Sequence, residues 1–102
     1  MDLKINTSVA EGVISVALIG AVDISNYNKI GSLIHEYFTE GKFEIVLDLA
    51  KVSYIDSSGL GVLISAFKEA KNGGGFLKII NVNSSISGIF QMTRLDTFFG
   101  IV

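Results

Sequence analysis

A chain of 102 residues that is 49% hydrophobic and has no cysteine can bury a real core, but it offers no thiol nucleophile, disulfide framework or cysteine-ligated metal. Its net charge of −2, with 8 basic residues scattered along the chain, argues against nucleic acid, which needs a clustered cationic face. No apolar run reaches the ~18–20 residues of a membrane span, and Asp2 and Lys4 do not open a secretion signal, so the expectation is a cytoplasmic single domain, residues 1–102, without direct membrane insertion.

Leu3 and Ile5 alternate with Lys4 and Asn6, the period of a half-exposed strand. Ala10-Glu11-Gly12 reads as a turn. Val13 to Ile19 reads as a second strand, apolar on both faces and so placed inside a sheet. Together they predict an N-terminal β-hairpin. Gly20-Ala-Val-Asp23 ends the second strand. Ser25 and Asn26 then start a helix in which Tyr27, Ile30, Leu33, Ile34, Tyr37 and Phe38 recur at helical spacing. Gly41 fits the position just past its end. Lys29 and Glu36 fall outside the stripe and should face water.

Phe43 to Leu49, with its run Ile45-Val-Leu-Asp-Leu49, predicts a buried third strand, and Lys51-Val-Ser-Tyr54 a connecting loop. A second helix runs from about Ser57 to Asn72, its apolar stripe formed by Leu60, Leu63, Ile64 and Phe67. Leu47, Leu63 and Phe67 should share one core. Gly73-Gly74-Gly75 stops that helix. It follows a helix rather than opening one and lacks a Walker lysine–serine pair, so it reads as a linker and not as a phosphate loop. Phe76 to Ile80 predicts a fourth strand. Asn83-Ser84-Ser85 caps a short helix through Ile86, Ile89 and Phe90, Thr93-Arg-Leu-Asp96 breaks it, and Phe98 to Val102 is expected to add a last edge strand. The order implies an α/β fold with a mostly parallel mixed sheet and crossover helices packed mainly on one face.

The richest chemistry lies where the third strand hands over to the second helix. Asp56, Ser57 and Ser58 are residue types whose side-chain oxygens accept from the unpaired N–H groups of a first helical turn. Gly59 and Gly61 lack Cβ, so backbone or a partner can come close. Free amides and the macrodipole favour an anion at such a terminus. On spacing alone Ser57 is either an N-cap or a phosphoacceptor. Asp23 is likewise either a turn aspartate or part of the same strand-exit rim as Asp56, since parallel strands bring their C-terminal ends together.

Asp56-Ser57-Ser58-Gly59-Leu60-Gly61, in the context of the N-terminal strands, Gly20-Ala-Val-Asp23 and the Met92-Thr-Arg-Leu-Asp96 tail, resembles the signature of the STAS domain, the fold of bacterial anti-sigma factor antagonists. The resemblance implies the same α/β fold and aligns Ser57 with the family's phosphorylation site. It also favours a partner-binding role for Asp23, beside Asp56, Ser57, Ser58, Gly59 and Gly61. The implied partners are an anti-sigma factor that is also a serine kinase and a metal-dependent serine phosphatase acting on the phosphorylated form; no cofactor is implied for this chain. Many members carry a further C-terminal helix, whereas this chain ends at Val102. The edge is then left short, or a partner or a second copy covers it, as in a homodimer. Gly100 stands where the family often has proline.

An enzyme reading fares worse. His35 is the sole histidine, lies mid-helix and does not point to the rim, and Ser57 lacks a G-x-S-x-G elbow. Asp48 and Asp56 are too few for a metal site. The expectation is therefore a non-enzymatic, phosphorylation-switched binding protein. The alternatives are a STAS subunit of a lipid or anion transporter, a sensory scaffold and, behind both, a serine-dependent enzyme.

Overall fold

The computed structural model describes residues 2–101. Its elements run β1 (Lys4–Ala10), β2 (Val13–Val22), α1 (Tyr27–Thr39), β3 (Glu44–Ile55), α2 (Ser57–Asn72), β4 (Phe76–Ile80), α3 (Ser84–Met92) and α4 (Leu95–Phe99). The strands form one sheet in the order β1-β2-β3-β4, with β1 antiparallel to β2 and the β2–β3 and β3–β4 pairs parallel. This is the mixed, mostly parallel sheet expected from the order of elements. The hairpin closes through Glu11 and Gly12, whose φ angles of 53° and 80° are both positive, the hand a two-residue turn needs to match the strand twist.

Alternation along the strands decides which face is covered. Ile14, Val16 and Leu18 of β2, Ile45, Leu47 and Leu49 of β3 and Leu77 and Ile79 of β4 are all buried. They meet Ile30, Ile34 and Phe38 of α1, Leu60, Leu63, Ala66 and Ala70 of α2, Ile86 and Phe90 of α3 and Phe99 of α4 in one apolar cluster. The opposite register positions, among them Asn6–Ala17–Asp48 and Ser15–Val46–Lys78, form a face that no described helix covers. Leu47 and Leu63 share the core as expected, while Phe67 packs at its margin against the α4 rings. Lys29 and Glu36 are exposed.

Two stretches take a different secondary structure from the one expected. Lys51-Val-Ser-Tyr54 is not a loop: β3 continues through it to Ile55, paired with β2 as Ile19–Lys51, Gly20–Val52, Ala21–Tyr54 and Val22–Ile55. The register shifts between Ala17 and Ile19 and between Gly20 and Ala21, so β3 spends an extra residue at each point. Its buried residues there, Leu49, Val52 and Ile55, fall three apart and erase the period-two signature of a strand. The Nδ2 of Asn83 ties down this irregular stretch by donating to the carbonyls of Leu49, Ala50 and Val52 at 3.1, 3.0 and 2.7 Å.

The last edge strand is also absent among the described residues, and Val102 lies outside them. Phe98 and Phe99 instead belong to α4, which starts after Arg94 at φ 60° and ends at Gly100 at φ 72°. A strand would send the two rings to opposite faces. One helical turn brings both against Phe67, with centroids 4.9 and 5.4 Å away, and sets Phe99 edge-on to Phe90 at 6.1 Å.

Candidate functional site

The C-terminal ends of β2 and β3 lie side by side; β3 passes through Asp56 straight into α2, and β2 reaches α1 through a loop over residues 23–26. At β3 the hand-over is made by Asp56, the N-cap of α2, in extended conformation. Its Oδ1 accepts from the Gly59 N–H at 3.1 Å and its Oδ2 from the Ile24 N–H at 3.2 Å, while its own N–H donates to the Val22 carbonyl at 3.1 Å. One carboxylate thus caps α2 and holds the β2–α1 loop beside it. Capping falls to Asp56, not to Ser57. The Ser57 side chain is exposed and Ser58 half-buried, and neither hydroxyl hydrogen-bonds to another described residue. The Ser57 and Ser58 amides, the first of α2, likewise meet no described backbone or side-chain acceptor.

Asp23 closes the neighbouring turn. Its Oδ1 accepts from the Ser25 N–H at 2.9 Å and from the Ser25 hydroxyl, and its carbonyl accepts from the Asn26 and Tyr27 N–H groups. The Ser25 hydroxyl, then the Ser25 amide, hold the Asp23 carboxyl below the ordinary aspartate range against a small opposing effect of burial. The carboxylate form is the one that holds the turn. That stabilisation is complete at neutral pH and is lost only as pH falls through the lowered folded-state pKa. Asn26 is the residue at which α1 starts, as expected, but its side chain makes no cap bond to the helix. It is buried, with Nδ2 donating to the Ala21 carbonyl at 2.9 Å and Oδ1 accepting from the Asp23 N–H at 3.0 Å, so it braces the loop from beneath.

The two glycines separate cleanly. A Cβ at Gly59 would lie 2.7 Å from both Ile55 Cγ1 and Val22 Cγ1, so this glycine lets α2 press onto the ends of β2 and β3. A Cβ at Gly61 meets nothing within 4 Å, and the position faces solvent. Gly59→Ala should therefore destabilise by ~1–3 kcal/mol through overpacking. Gly61→Ala should be neutral or stabilise by up to ~1 kcal/mol, the helical advantage of alanine over glycine. Urea denaturation of both variants checks this; equal shifts would mean that the Gly59 contact is absent in solution.

Sequence reasoning passed over Ile24, whose amide completes the Asp56 bridge. The one available hint was a large apolar residue set among Asp23, Ser25 and Asn26, ahead of the helical stripe. His35 lies away from the rim, its Nδ1 3.4 Å from Glu69 Oε2 on the exposed α1–α2 seam. Among the described residues there is no group of three or more His, Cys, Asp or Glu side chains placed to hold a metal, and no helix is long and apolar enough to cross a membrane.

This arrangement, a hairpin-led mixed sheet with a capped helix presenting a free serine at the strand ends, is that of a STAS domain. The chain belongs to the STAS domain family, which it matches over residues 4–102. It is 29% identical over 101 residues to the anti-sigma-B factor antagonist of Bacillus subtilis (strain 168), an alignment covering 99% of this chain and 92% of that protein. Its fold is similar to that of a protein from Thermotoga maritima, with a TM-score of 0.85 at 24% identity, covering 91% of this chain and 80% of that one. It also resembles the anti-sigma factor antagonist SpoIIAA in its unphosphorylated form, with a TM-score of 0.73 at 20% identity over 98% of this chain and all of that one.

Proposed function

We propose that this chain is a cytoplasmic anti-sigma factor antagonist switched by phosphorylation at Ser57. The observation that carries the reading is the division of labour at α2: Asp56 does the capping, which leaves the Ser57 hydroxyl exposed and uncommitted. The antagonist role in the name of the Bacillus subtilis relative supports it, as does the position of Ser57 directly after the aspartate of Asp56-Ser57-Ser58-Gly59-Leu60-Gly61, where the resemblance implies the family's phosphorylated serine. Unphosphorylated, the rim of Asp23, Asp56, Ser57, Ser58 and Gly61 binds an anti-sigma factor and so releases a sigma factor; Gly59, expected on that rim, is buried against Val22 and Ile55 and packs the helix instead.

That anti-sigma factor is also the kinase. The Ser57 Oγ attacks the γ-phosphorus of ATP bound to the kinase, an O–P bond forms as the β–γ bridge breaks, ADP leaves, and the hydroxyl proton passes to the kinase. The product adds about −1.5 to −2 charges. At the start of α2 the unengaged Ser57 and Ser58 amides and the helix dipole can hold that charge, so the domain keeps its fold. The docking surface changes from a neutral hydroxyl to a bulky dianion beside Asp56. A metal-dependent serine phosphatase reverses the step by hydrolysis. Nucleotide and metal belong to these partners.

The test is a pull-down from the native host followed by intact-mass analysis of the chain with ATP. Recovery of an anti-sigma factor and a single added phosphate, localised to Ser57, is the expected result. Recovery of a membrane transporter instead would overturn the reading. Asp23→Ala should lower affinity for that factor by roughly tenfold, mainly through the association rate and less so at high salt, as for a charge on an interface rim. Its Tm should stay close to that of the parent, because the bonds Asp23 makes are exposed. A clear fall in Tm with affinity intact would reduce Asp23 to a turn residue.

A further inference from the structure

Among the described residues, Val9, Ile24, Tyr54, Phe76, Met92 and Phe98 are large hydrophobic side chains left exposed. Val9 and Phe76 lie at the far end of the sheet, where the parallel strands begin, and Met92 and Phe98 belong to the helical layer. Only Ile24, 70% exposed, and Tyr54, 54% exposed, stand at the rim that carries Ser57. Tyr54 pairs with Ala21 across the β2–β3 ladder, two residues before Asp56. Ile24 follows Asp23, with its amide in the grip of the Asp56 carboxylate. Both residues therefore lie close to the start of α2, Ile24 on the loop bridged to Asp56 and Tyr54 on the sheet face opposite Ile55, which packs under Gly59.

Exposing an isoleucine in a turn gains nothing for folding, and this turn is not loose. The Asp23 carboxylate and carbonyl, the Asn26 amide and the Asp56 carboxylate tie down its backbone from Ala21 to Tyr27. A rigid backbone presenting an exposed apolar side chain is preorganised for burial, since little ordering entropy is lost on contact. The charged groups bonded to the Ile24 loop are the carboxylates of Asp23 and Asp56, which repel nucleic acid and anionic membranes alike.

We propose that Ile24 and Tyr54 are the apolar anchors of the docking surface, and that they fit a protein surface with an apolar depression edged by lysine or arginine side chains facing Asp23 and Asp56. The inference rests on the antagonist reading and identifies its energetic centre: the acids steer and orient the partner, while the two apolar side chains supply the burial. Phosphate on Ser57 then acts in a second way besides charge, because a hydrated dianion on the same docking surface keeps the anchor contacts wet.

The experiment titrates the purified anti-sigma factor of the same host against wild type, Ile24→Ser, Tyr54→Ser, Ile24→Val, Tyr54→Phe and Ser57→Asp, at low and high salt, with a Tm for each. Each serine variant should bind ~10–100-fold more weakly, the range of an anchor residue. That loss should persist at high salt, with Tm near that of wild type, and Ile24→Val and Tyr54→Phe should restore most of the affinity. Serine variants that bind like wild type while Ser57→Asp does not would overturn the anchors and leave the Ser57 site standing. Ser57→Asp binding like wild type would instead overturn the charge switch, and no binding by wild type would overturn the antagonist reading together with this inference. Should Tyr54→Ser lower Tm, Ile24→Ser decides alone.

Discussion

Ser57→Asp is expected to fold like the parent and to bind its anti-sigma factor at least ~100-fold more weakly. The magnitude follows from like-charge repulsion across an interface, which runs to several kcal/mol where each ~1.4 kcal/mol is tenfold in affinity. Folding is spared because the position is the first of α2, where a carboxylate is favoured by the helix dipole, and because the capping bonds belong to Asp56. Ser57→Ala removes the phosphoacceptor but keeps a small neutral surface, so it should bind persistently, with or without ATP. Its stability should lie within ~0.5 kcal/mol of wild type, the range of an exposed substitution that breaks no cap. Ser58→Ala should still take up phosphate at Ser57. Calorimetric titration of the three variants, with site-localised mass spectrometry after incubation with kinase and ATP, reads all of these outcomes. Phosphate on Ser58 would overturn the assignment of the acceptor.

Leu63→Ala should cost ~2–5 kcal/mol, the range for deleting a fully buried leucine. Leu63 is 0% exposed, and it faces the buried sheet positions from the middle of α2. Against the ~5–15 kcal/mol total stability of a typical domain, such a loss removes much of the margin. Phe67→Ala should cost less than the ~3–5 kcal/mol of a fully buried phenylalanine, because Phe67 sits at the margin of the core, where its losses are the contacts with Phe98 and Phe99. Denaturant melts of both variants test the order. A larger loss for Phe67 would mean that the aromatic cluster under α4, and not the sheet–helix layer, is the stabilising centre.

What was legible in the amino-acid sequence follows a physical line. The bounds of α2 were readable because both signals are local: oxygen-bearing residues at its start and three glycines at its end. β4 and the hairpin turn were readable for the same reason. The end of β3 was not, since two irregularities in its pairing with β2 spoil the alternation a strand is recognised by, and they exist only in relation to the neighbouring strand. The helix α4 was misread because adjacent phenylalanines suit a strand as well as a helix, and only the position of Phe67 decides between them.

The site divides in the same way. Asp56, Ser57 and Ser58 were visible as a group of cap-forming residues, but which of them caps was open. The answer depends partly on the Ile24 amide, 32 residues away in the chain, which holds the second oxygen of Asp56. Gly59 and Gly61 looked equivalent, and only the side chains of Val22 and Ile55 distinguish a glycine that packs inward from one that faces solvent.

On the proposed mechanism, one phosphate on Ser57 ends a protein–protein contact without unfolding the domain. The most direct test is an affinity titration of the authentically phosphorylated protein, verified by intact mass and by localisation of the phosphate, against its anti-sigma factor. Unmodified protein is titrated in parallel, and both forms are melted. The expected result is a loss of at least ~100-fold in affinity with a cooperative melt retained. Equal affinity of the two forms would contradict the account.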